Sequence, residues 1–169
     1  MTRTVWTVCA LSLLIAGSAF ADAASEATAV AQAFARAANA ADTATVVALY
    51  DDGATAIWTG QGDEAKGKAA IERLVKDAFG RKLHPRMKLK RVEAVPLGDK
   101  YIANVGYWDG SITTPDGKVA TVPVRRSEVL VKGADGKWRY LIDHLSVGTQ
   151  PPPEAQAPAQ TPSPKKSAK

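Results

Sequence analysis

The residues best suited to chemistry lie on two stretches. One is Arg125-Arg126-Ser127-Glu128, and the other runs Lys137-Trp138-Arg139-Tyr140-Leu141-Ile142-Asp143-His144-Leu145-Ser146. A histidine ring exchanges protons near neutral pH, so it can act as a general base or donate a hydrogen bond to a ligand. Of the two histidines, His144 falls in regular structure, whereas His84 precedes Pro85 in a connection. Alternation along an extended strand puts Trp138, Tyr140, Ile142 and His144 on one face. Arg139, Leu141, Asp143 and Leu145 take the other. Asp143 then looks away from His144, toward a turn or a basic residue such as Arg139. Arg125 and Arg126 point to opposite faces of their strand. Whichever turns inward is a costly buried charge unless Glu128 pairs with it or an anionic ligand does. Trp58, Tyr107 and Trp108 offer flat rings that either stack on an apolar ligand or pack as core.

The rest of the chain supplies the elements that must position these groups. Gly133-Ala134-Asp135-Gly136 is a hairpin turn leading into 138–147, whose apolar residues on both faces suit an interior strand. Ser25 reads as the N-cap of a first helix with Ala27, Val30, Ala31, Phe34 and Ala38 on one side. Asp42 or Thr43 caps a second, short helix through Leu49 and Tyr50. A strand is expected over 54–59, and a third helix over 67–83 carries Ala70, Ile71, Leu74, Val75, Ala78 and Phe79. Strands follow over 86–96, 101–111 and 119–131. Gly/Asp turns of hairpin length join the last four strands, so that sheet should be antiparallel.

Composition narrows the function. Arg3, an apolar run from Val5 to Ala16 and Ala19-x-Ala21 form the layout of a secretory signal peptide over residues 1–21, too short for a retained span. The expected mature protein is periplasmic or otherwise secreted, with no stable membrane anchor. Cys9, the sole cysteine, leaves with that leader, which excludes disulfides, thiolate catalysis and thiolate metal sites. Residues 22–148 form a single domain, and 149–169 a disordered Pro/Ala/Lys-rich tail. Loss of Arg3 takes the formal charge from +5 to +4. Lys165, Lys166 and Lys169 against Glu154 account for two of those, leaving the folded body near +2. So small an excess does not point to nucleic acid, and the basic run Arg81 to Arg91 reads as a solvated sheet face. Zinc spacing, a phosphate-cradling glycine loop and a nucleophile elbow are all missing from the sequence, so no metal and no cofactor is expected.

Three groups of residues carry a family resemblance. They are Leu49-Tyr50-Asp51-Asp52-Gly53-Ala54, Gly67-x-x-Ala70-Ile71, and Trp138 to Ser146 at the end of a long meander. Together they resemble the nuclear transport factor 2-like superfamily, in its ketosteroid isomerase-type and SnoaL-like branch, over residues 26–147. The resemblance implies an α+β fold, three helices on a curved, mostly antiparallel sheet that leaves a cone-like chamber. It implies a chamber lined by Tyr50, Trp58, Asn104, Tyr107, Arg126 and His144. Steroid-type isomerisation needs a carboxylate base and an oxyanion hole, and that set is incomplete on the expected inner face. The dehydratase pattern of two histidines fails as well. The leading expectation is a binder of a small, partly apolar molecule, forming a homodimer through its outer sheet face. The alternatives are an isomerase, dehydratase or hydrolase using His144 with Tyr107 or Arg126, and a non-catalytic dimeric assembly module. A bulge would reverse the alternation for everything beyond it.

Overall fold

A computed structural model describes residues 7–58, 64–80, 86–113 and 116–148. The helices are α1 (Thr7–Asn39), α2 (Thr43–Ala48) and α3 (Gly67–Gly80); the strands are β1 (Tyr50–Ile57), β2 (Ala65–Lys66), β3 (Arg86–Pro96), β4 (Tyr101–Thr113), β5 (Val119–Lys132) and β6 (Trp138–Val147). The six strands form one sheet in the order β2-β1-β6-β5-β4-β3. β1 runs parallel to β6, and every other pairing is antiparallel. Three helices and a mixed, mostly antiparallel sheet make an α+β fold.

Two helix boundaries differ from the sequence reading. Ser25 caps nothing, because α1 continues unbroken from Thr7; an alanine-rich run gives the helix no reason to start there. Tyr50 opens β1 rather than closing α2. Asp42 does cap α2: Oδ1 accepts from the Thr45 N–H at 3.0 Å and Oδ2 from its hydroxyl at 2.6 Å. Those bonds hold the Asp42 carboxyl below its usual range. The two-residue β2 has no counterpart in the sequence reading. The expected loop at 60–63, the end of α3 beyond Gly80, His84 and the tail lie outside the described residues.

The core lies between α1 and the inner sheet face. Ala27, Val30, Ala31, Phe34 and Ala38 are buried along α1 as the helical spacing requires. α3 buries Ile71, Leu74 and Val75 against β1 and α2. Irregularities interrupt the sheet at Lys90 in β3, at Leu141 in β6 and between Tyr50 and Thr55 in β1. Such bulges bend a strand and raise its twist, and each resets which residues face inward.

Candidate functional site

The inner face of β5 points Arg126 and Glu128 beneath α1, and both are buried with essentially no exposed side-chain surface. Asp143 comes to meet them from β6. The Arg126 Nε donates to Asp143 Oδ1 at 3.1 Å and its Nη2 to Oδ2 at 2.5 Å, a two-pronged pairing that fixes the guanidinium plane. Two more donors reach the same carboxylate oxygen: the Tyr50 hydroxyl at 2.6 Å and the Trp58 Nε1 at 2.8 Å. Donors from β1, from the residue just beyond its end and from β5 therefore converge on Asp143 of β6. Phe34 of α1 covers the arrangement, its ring 3.8 Å from the guanidinium carbon and edge-on to Trp58, Trp108 and Tyr140.

Glu128 is held more loosely. Asn104 Nδ2 donates to its Oε2. Oε1 lies 3.1 Å from Arg126 Nε, yet that N–H is spent on Asp143, so proximity gives Coulomb attraction without a directed bond. Burial pushes the Glu128 carboxyl up to about 7, against the opposing pull of Arg126. Burial alone would disfavour the Arg126 charge, but Asp143 and Glu128 more than offset this and keep it protonated. Burial, and then the neighbouring carboxyl groups, raise the Tyr50 and Tyr140 hydroxyls well above their ordinary range, so both stay neutral.

Around this centre polar atoms without protein partners accumulate. Asn104 Oδ1, Arg126 Nη1, Glu128 Oε1, Tyr140 Oη and Trp108 Nε1 are all buried and unbonded. The residues are neighbours by register: Asn104 opposes Glu128, Gly106 opposes Arg126 and Trp108 opposes Val124 across β4 and β5, while Tyr140 opposes Leu130 across β5 and β6. Buried orphans are rare in folded proteins, and a concentration of them marks a place for water or a ligand. Chemically the centre can hold a polar group between donors and acceptors, and Glu128 can give or take a proton near neutrality. Among the described residues, no group of three or more His, Cys, Asp or Glu side chains is placed to hold a metal ion.

The residues singled out from sequence divide into two sets. Tyr50, Trp58, Asn104 and Arg126 come together on the inner face. His144 and Tyr107 do not join them. His144 is exposed on the outer face opposite Ser127, and Tyr107 is half-buried there, its hydroxyl donating to Glu93 at 3.3 Å under the Arg91 guanidinium. Leu141 is the extra residue that turns His144 outward: Leu130 pairs with Tyr140 but Val129 pairs with Ile142, so parity flips between them. The same flip brings Asp143 inward, overturning its expected pairing with Arg139, which binds Asp135 at 2.6 Å instead. Asp143, Glu128, Phe34 and Tyr140 are the site members sequence reasoning did not assign there. The available signal was Arg126-x-Glu128 itself, a same-face pair whose guanidinium has more donors than one carboxylate can satisfy.

The arrangement is that of the NTF2-like fold. A ketosteroid isomerase-like protein from Erwinia carotovora atroseptica superposes with TM-score 0.64 at 22% identity, covering 75% of this chain and 97% of its own. A proposed dehydratase from the NTF2-like family of Streptomyces avermitilis gives TM-score 0.66 at 15% identity, covering 78% of this chain and 99% of its own. A proposed calcium/calmodulin dependent protein kinase II association domain from Xanthomonas campestris gives 0.64 at 21%, covering 73% and 86%. No curated protein matches the chain in sequence. Within this fold the chain belongs to the SnoaL-like domain family, whose model matches residues 27–150.

Proposed function

We propose that this SnoaL-like domain binds a small, partly apolar molecule at the Arg126 centre, after export and removal of residues 1–21. The observation that carries the reading is the set of unbonded buried polar atoms enclosed by Phe34, Trp108 and Tyr140. Aromatic walls suit a flat, apolar body, and the open donors and acceptors suit a hydroxyl or carbonyl on it. With Glu128 carrying its proton up to about 7, the centre holds one cation against little more than one anion, which favours a neutral ligand over an ionised one. Arg126 is fully buried, so a ligand reaches the centre only where the packing around it parts, which would slow association. Native mass spectrometry of the protein purified from its own host tests the reading by identifying the bound molecule. Tyr140→Phe removes one open hydroxyl while leaving the Asp143 pairings in place, and should weaken that ligand about fivefold to tenfold. Unchanged affinity, or no ligand recovered and none found by screening, sinks it. Edman sequencing of the exported chain should start at Asp22.

A second reading rests on Glu128. A buried carboxyl group that titrates near neutrality beside unbonded donors is placed for general acid–base work, such as an isomerase or dehydratase performs. Here Glu128 replaces His144 as the proton carrier. Glu128→Gln would then abolish turnover of the identified ligand while leaving its binding in place; turnover retained in that variant rules the reading out. The partner proposed for the outer face is a second copy of this chain, which also accommodates an assembly role.

A further inference from the structure

Of the two indoles beside the Arg126 centre, only one is anchored. Trp58 donates to Asp143 at 2.8 Å, whereas the Trp108 N–H is buried without an acceptor. An unpaired buried donor forfeits the hydrogen bond it makes to water in the unfolded chain, so packing alone holds Trp108 in place. Its ring lies over Gly106. A Cβ at that position would stand 2.6, 3.3 and 3.5 Å from three atoms of the indole. Gly106 does not take a positive φ, so the missing side chain serves space rather than backbone conformation. A glycine inside a strand often marks where a ligand or another group comes close.

The space over Gly106 is bordered by open polar atoms. Arg126 is the partner of Gly106 on β5, and Asn104 is the next inward residue along β4. The Arg126 guanidinium carbon lies 5.8 Å from the Trp108 ring centre, and Phe34 stands edge-on to the same ring at 6.2 Å. Arg126 Nη1 and Asn104 Oδ1 are a donor and an acceptor beside a ring that uses neither. The indole has no acceptor to offer Nη1, and its own N–H stays unbonded. A ring carrying a hydroxyl can engage both. On the side away from Arg126, Trp108 pairs with Leu89, which lines a groove of about 480 Å³ between α1 and β3. Open space therefore begins one strand away from the indole.

Taking the Arg126 centre as the ligand site, we propose that the Trp108 indole is a built-in stopper. It occupies the ligand's own place over Gly106, and a neutral, hydroxyl-bearing ring system of indole size displaces it toward β3. 2-Naphthol, a flat bicyclic phenol, is the probe, titrated into the full-length protein and followed by calorimetry and by the tryptophan indole N–H resonances. Wild type should bind it, the Trp108 resonance moving and beginning to exchange with water while the Trp58 resonance holds still. Trp108→Leu has no indole to displace and should bind about tenfold more tightly, with an unchanged circular dichroism spectrum. The stopper is overturned if wild type binds 2-naphthol with the Trp108 resonance unmoved, and these wild-type spectra decide even where the variant does not fold. Equal affinities, or no binding to either protein, overturn it too. So does binding to the variant alone, which would be a cavity made by the substitution. Tyr140→Phe in the Trp108→Leu background separates the two readings: unchanged affinity there sinks the polar centre as the ligand's anchor and leaves the stopper standing.

Discussion

Removing Arg126 would leave Asp143 and Glu128 side by side on neighbouring strands with no cation between them. Breaking a buried pair from one side costs about 3–5 kcal/mol, because the remaining charge keeps its desolvation penalty. Arg126→Met should lose that much in urea unfolding, and a second change, Glu128→Gln, should restore part of it. A loss below 1 kcal/mol would mean water reaches the centre freely. Glu128 also makes a pH prediction of unusual sign. Its folded-state value of about 7 stands above the ordinary 4.5, so the native state binds the proton more tightly than the unfolded chain does. Its contribution to stability is therefore fully present below about pH 4.5 and is lost as pH climbs through about 7. Wild type should lose stability relative to Glu128→Gln between about pH 5 and pH 8. Parallel stability profiles for the two proteins would show that Glu128 titrates normally.

At the scale of the elements, packing in β4 sets its own limit. Gly106 sits between Asn104 and Trp108 on the inner face, and a Cβ there would lie 2.6 Å from the Trp108 indole nitrogen. Gly106→Ala must displace that indole and should cost about 1–3 kcal/mol by thermal unfolding, with altered tryptophan fluorescence; an unchanged melting temperature would show the indole has room to move. The hairpin strands and the three helices were legible because turns such as Asp135-Gly136, with Gly136 at φ 75°, and the buried stripe of α3 are local signals. The sequence reading also put Tyr50, Trp58, Asn104 and Arg126 together, and they do meet. What it could not place was parity beyond Leu141. A bulge is stabilised by tertiary packing, here by the demand of Tyr50, Trp58 and Arg126 for the Asp143 carboxylate, and no residue type at 141 announces it. One extra residue therefore exchanged the roles of His144 and Asp143. β2 escaped for a related reason, since two residues carry no periodicity.

The whole molecule has an outer sheet face with a row of apolar residues crossing four strands in register: Val95, Ala103, Val129 and Ile142. Val95 is 50% exposed and Ile142 45%, values that decide whether the row is core or surface. The row beside it, Glu93, Val105, Ser127 and His144, adds small and polar groups, so a second sheet could approach closely and still find hydrogen-bond partners at its margin. An isologous pairing places each residue of one copy against its symmetry equivalents, so a charge near the axis is met by the same charge. Ile142→Lys tests this without touching the core, because that side chain already faces solvent. Wild type should sediment as a dimer and Ile142→Lys as a monomer with an unchanged circular dichroism spectrum. His144, one pair along the sheet, would then lie at the contact margin, and its substitution by Ala should weaken the dimer without altering ligand affinity at the Arg126 centre. A wild-type monomer, or a dimer indifferent to Ile142→Lys, would remove the outer face as the site of self-association and return His144 to the role of an ordinary surface residue.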